Sequence, residues 1–110
     1  MIRDSLAPEA GTAADLVYNG SIFRWMQRGS LMASANAGWD VGGSLPRWVK
    51  LVRAGNNLTG YISVDGTTWT FHQTVTIAMT NPVYVGMFAS SSSASTTATA
   101  TFDNVIVTQP

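Results

Sequence analysis

Residues 47–77 read RWVKLVRAGNNLTGYISVDGTTWTFHQTVTI: three runs rich in β-branched and aromatic residues, broken at Gly55-Asn56 and again at Asp65-Gly66. Both dipeptides suit the positive backbone angles of tight turns, so the pattern predicts a three-stranded meander over 47–53, 57–64 and 68–77. In the middle strand Leu58, Ile62 and Val64 share one face and Tyr61 takes the other. In the third, Trp69, Phe71, Val75 and Ile77 share one parity. The chain holds one Glu and one Lys against many Thr, Ser and Val, which favours strand over helix by propensity.

The same signals extend outward. Residues 15–18 and 21–27 flank Asn19-Gly20 and read as a hairpin. The Gly/Ser/Ala-rich stretch 29–44, interrupted by Trp39, reads as mostly loop with a short strand at 31–35. Pro82 opens a strand in which Val83, Val85 and Met87 alternate with Tyr84, Gly86 and Phe88. A polar loop, SSSSASTT, leads to ATATFDNVIVT, where Ala98, Ala100 and Phe102 share a face but Val105 and Val107 have the opposite parity. A bulge at Asp103-Asn104 would turn both apolar sets inward. About seven short strands without helical periodicity predict an all-β, antiparallel β-sandwich or jelly roll.

At 110 residues the chain has room for one domain around one core. Six Lys+Arg balance six Asp+Glu, so no basic block is available for nucleic acid or an anionic membrane, and neither is an expected partner. Charged residues make up 11% of the chain, well below the roughly 25% usual in soluble domains, which weakens repulsion between copies and favours self-association. The absence of cysteine excludes disulfides and thiolate metal sites and leaves the compartment open. The residues after Met1 lack the basic and apolar regions of a signal peptide, so none is expected, and no run approaches the ~18 apolar residues of a membrane span, so the chain is expected to be soluble.

MIRDSLAPEA (1–10), RWVKLVRAGNNLTGYISVDGTTWT (47–70), NPVYVGMFASS (81–91) and ATATFDNVIV (98–107) together resemble successive pieces of the concanavalin A-like lectin/glucanase superfamily. More narrowly, they resemble bacterial domains of unknown function that accompany carbohydrate-active modules in secreted proteins. The resemblance implies a jelly roll of two facing sheets and a background of glycan binding. In such domains the MIRDSLA segment follows several further strands, so the chain reads as a C-terminal portion whose first residues are an interior strand left at an edge. That edge and the apolar material of Met1, Ile2, Phe23, Trp25, Trp48 and Val52 would then be covered by a second copy, giving a homodimer or higher oligomer.

Four motifs bear on chemistry. SVDGTTWT (63–70) resembles the Asp box of sialidases, one residue shorter between Asp65 and Trp69; its reading is a hairpin in which Asp65 accepts turn N–H bonds and Trp69 packs. His72 is the only histidine, which excludes a His cluster for metal; on its strand it reads as a surface or edge residue, with a general base or interface contact as the functional alternative. Glycosidases need two carboxyl groups flanking the sugar bond, whereas Glu9 is the only Glu and the Asp residues fall on turns and strand ends. Asp103-Asn104 offers one carboxylate, too few for calcium.

Aromatic side chains are the strongest functional signal, since sugar rings stack on them through apolar C–H faces. Trp48 and Trp69 read as core or interface. Trp39, set among Gly and Asp without a periodic partner, is open to two readings, an exposed ligand contact or a packed side chain. The chain is therefore expected to be a non-catalytic module for a polysaccharide or oligosaccharide, without cofactor, its ligand face formed by Trp39, Asp40, Arg24 and Trp25. The alternatives are a small hydrolase using His72 at a subunit interface, and a stable truncated fragment without evolved function.

Overall fold

The computed structural model describes residues 1–18, 22–29, 36–43, 47–91 and 93–109. Eight strands and, among these residues, no helix form two antiparallel sheets. The strands are β1 (Ile2–Arg3), β2 (Thr12–Tyr18), β3 (Ile22–Arg28), β4 (Asn36–Gly42), β5 (Trp48–Ala54), β6 (Asn57–Ser63), β7 (Thr70–Thr76) and β8 (Tyr84–Val85). One sheet runs β4-β3-β2-β1-β8 and the other β5-β6-β7. The all-β fold expected from the sequence is present as an incomplete β-sandwich.

The meander forms as its turns require. β5 and β6 pair from Trp48↔Ser63 to Ala54↔Asn57, closed by Gly55 at a φ of 62°. Gly66, at a φ of 76°, turns the chain from β6 towards β7, and a Cβ there would fall 2.8 Å from the Trp48 ring. β2 and β3 pair from Thr12↔Arg28 to Tyr18↔Ile22, the pairing expected on either side of Asn19-Gly20, which itself lies outside the described residues.

Between the sheets lie Phe23 and Trp25 of β3, Leu58 of β6 and Ile77, all fully buried, with Ile2, Ala13 and Met79 around them. Burying side chains such as Leu58 or Ile77 stabilises the fold by about 1.5–3 kcal/mol each relative to leaving them in water.

Five expectations are corrected. Ile2 is not left at an edge: it is buried and pairs with both Ala13 and Val85 of its own chain, because β1 is interior to its sheet. Residues 36–42 are strand rather than loop, and Trp39 lies on β4; the short strand expected at 31–35 lies outside the described residues. Val64 is 64% exposed, since β6 ends at Ser63 and the chain turns. Phe71 is 55% exposed because the β6–β7 register shifts between Gly60 and Tyr61, which reverses the parity on which its inward reading depended. Finally, residues 98–107 join no sheet. Asn104 does leave extended geometry, at a φ of 52°, and its N–H donates to the Asp103 carboxylate at 2.7 Å, but no partner strand lies opposite and the bulge has no ladder to interrupt.

Candidate functional site

Two bulges, one in each sheet, meet across the sandwich. In the first sheet Phe23 pairs with Val41 and Trp25 with Gly38, so Arg24 faces two residues, Trp39 and Asp40. Gly38 supplies a φ of 151° and Trp39 is driven to a φ of 53°, a left-handed conformation that is costly for a bulky side chain. In the second sheet Gly60 pairs with Gln73 and Tyr61 with Phe71, leaving His72 as the extra residue. Such an insertion re-aims a side chain, and His72 is turned into the core.

His72 Nε2 donates to the Trp39 carbonyl at 2.6 Å. On its other side Nδ1 lies 2.9 and 3.0 Å from the two carboxylate oxygens of Asp15, a β2 residue facing Trp25. Both side chains are 1% accessible. A carbonyl only accepts, so Nε2 carries a proton; one further proton is shared between Nδ1 and Asp15, and wherever it sits the pair has no net charge. Every polar atom of the ring is satisfied, as a buried imidazole requires. Gly60 makes room for this arrangement, because a Cβ there would lie 2.6 Å from both Asp15 Oδ2 and Trp25 Cζ3.

Outside the brace, Trp39 is 48% exposed. Beside it Arg24 grips Asp40 by a two-point bond, Nε to Oδ1 at 2.8 Å and Nη2 to Oδ2 at 2.6 Å, the fork geometry that fixes both planes. These bonds hold the Asp40 carboxyl below its ordinary value, so the rim presents an anionic acceptor and a cationic donor side by side.

Of the residues expected to form a ligand face, Trp39, Asp40 and Arg24 are thus brought together. Trp25 is not among them: it is fully buried, its Nε1 donates to Gln27 at 2.7 Å, and no ligand reaches it. His72 is likewise corrected from surface to core, because the bulge reverses its side. Asp15 escaped the sequence reading, which placed it among turn and strand-end carboxylates. Its signal was an inward parity shared with Ala13, and a lone buried acid implies a buried partner.

Asp65 behaves as the hairpin reading expects. Its Oδ1 accepts from the Thr68 and Thr67 amides at 2.8 and 2.9 Å and from the Ser63 hydroxyl at 2.9 Å. Trp69 lies under Lys50, whose Nζ stands 4.5 Å from its ring centre. Among the described residues no three His, Asp or Glu converge as a metal site. With both nitrogens engaged and the ring buried, His72 and Asp15 support the Trp39 backbone. No family model, curated protein or solved structure matches the chain.

Proposed function

We propose that the chain is a non-catalytic saccharide-binding module of concanavalin A-like kind, with Trp39 as its stacking platform and the Arg24–Asp40 pair as its orienting groups. One observation carries the reading: a tryptophan held in a strained left-handed conformation, braced from within by His72, with half its surface in solvent. Strain of this kind persists only where the surroundings impose it, and it concentrates at binding sites. An indole face takes the apolar side of a sugar ring. Asp40 accepts from and Arg24 donates to hydroxyl groups, and because the two charges compensate each other, a neutral sugar is the fitting ligand.

The test is retention on a panel of immobilised neutral polysaccharides, comparing the wild-type protein with Trp39→Ala at matched far-UV circular dichroism. Retention that is lost in the variant supports the reading; no retention on any member, or equal retention by both proteins, overturns it.

The module also self-associates in this reading. Phe102, Val105, Ile106 and Val107 are exposed, Ile106 by 82%, and among the described residues no backbone hydrogen bond joins 98–107 to another segment. Unpaired extended backbone with apolar side chains is a template for another strand, and the neutral, weakly charged surface offers little repulsion. A second copy is the occupant proposed. Light scattering is expected to give a dimer or larger that Ile106→Asp dissociates; a wild-type monomer at micromolar concentration contradicts this.

A further inference from the structure

Arg3, Thr12 and Arg28 form one row across three adjacent strands, Arg3 pairing with Thr12 of β2 and Thr12 with Arg28 of β3. Residues so aligned point to the same side of a sheet. The two guanidinium groups then converge on a single turn. Arg3 Nη2 donates to the Ala7 carbonyl and Arg28 Nη1 to the neighbouring Pro8 carbonyl. Both arginines line a pocket of about 200 Å³, walled by the apolar groups of Pro8, Ala14, Met26 and Phe88.

The charge gathered there is uncompensated. Among the described residues neither arginine has a carboxylate within ion-pairing distance. Asp4, the nearest acid along the chain, is turned to the Thr80 amide and hydroxyl at 2.7 and 3.0 Å. The Nε of each arginine is shielded from solvent without a hydrogen-bond partner, although a buried donor left unmatched costs stability. Arg28 donates from Nη1 to Pro8, and its guanidinium lines the pocket together with that of Arg3, where planar cationic groups favour a carboxylate.

We infer that this pocket is a second ligand site, which binds the carboxylate of a uronic acid residue. The two guanidinium groups select the carboxylate, while Met26 and Phe88 cover the apolar body of the ring. The volume is below the ~300–1,000 Å³ of sites for drug-sized ligands and fits a single sugar residue. The choice of a sugar acid rests on the saccharide reading; the preference for a carboxylate does not.

The probes are methyl galacturonide and methyl galactoside, which differ only in carrying a carboxylate or a hydroxymethyl group at the same carbon. Calorimetry on the wild-type protein is expected to give at least about tenfold tighter binding of the galacturonide, the range of one charge-assisted hydrogen bond. Arg28→Gln is expected to abolish that ratio. A ratio near one in the wild type, or a ratio that survives Arg28→Gln, overturns the proposal. Amide shifts read on the wild-type protein keep the test independent of how the variant folds: galacturonide must move Arg3, Thr12 and Arg28, and binding that leaves them still overturns the site. Loss of polysaccharide retention in Trp39→Ala reports on the first site alone, so either reading can fail without the other.

Discussion

His72 Nε2 and the Trp39 carbonyl, 2.6 Å apart, connect a bulge in one sheet to a bulge in the other, and Asp15 closes the link from β2. Removing one member leaves its partner buried and unmatched. His72→Ala is therefore expected to lower unfolding free energy by about 3–5 kcal/mol, the range for breaking a buried pair. The double variant Asp15→Ala/His72→Ala should cost clearly less than the sum of the two single changes. Urea denaturation of the four proteins measures the coupling, and additive losses would show that the two residues do not act together.

Trp39 provides a test of backbone strain. At ordinary strand positions Gly is less stable than Ala by roughly 0.5–1 kcal/mol. At a φ of 53° the order is expected to reverse, with Trp39→Gly more stable than Trp39→Ala by about 1 kcal/mol. Both variants lose the indole, so thermal and urea midpoints isolate the backbone; the ordinary order would contradict the left-handed geometry.

Gly60→Ala is expected to cost about 1–3 kcal/mol as an overpacked core position, although alanine normally strengthens a strand. The added methyl would meet Asp15 Oδ2 and Trp25 Cζ3 at 2.6 Å. A neutral or stabilising result in denaturant would mean that the two sheets sit further apart here than described.

Asp65 sets an acid limb. Amide bonds from Thr68 and Thr67, with the Ser63 hydroxyl, hold its carboxyl far below the usual range. The unfolded chain therefore binds this proton at a higher pH than the folded one. The contribution of Asp65 is complete above the unfolded value of ~3.9 and is lost as pH falls towards the folded value. Asp65→Asn is expected to melt lower at neutral pH and to lose less on acidification below about pH 4. Melting curves that stay parallel across this range would contradict the assigned hydrogen bonds.

The strands most legible in the sequence were those bounded by strong turns: Gly55-Asn56 and Asp65-Gly66 delimit β5 to β7, and Asn19-Gly20 predicts the pairing of β2 with β3. Parity failed where a bulge reverses it. Nothing local marks His72 as the extra residue, because the cause is the distant Asp15–Trp25 packing that requires Gly60 opposite. β4 was hidden for a related reason: Gly38 and Trp39 interrupt its alternation, and its partner β3, rather than its own composition, makes it a strand. Trp39, Asp40 and Arg24 lie side by side because of the bulge between β3 and β4, whereas Trp25 takes the opposite parity to Arg24 on β3 and is enclosed in the core. The row of Arg3, Thr12 and Arg28 depends on pairing between segments far apart in sequence.

The most direct measurement of the account is the set of tryptophan indole N–H resonances, followed as neutral oligosaccharides from cello-, xylo-, manno- and galacto-series are titrated into the wild-type protein. At least one series is expected to move the Trp39 indole while that of Trp25, enclosed in the core and bonded to Gln27, stays in place. Binding that leaves Trp39 unmoved, or no binding by any series, would contradict it.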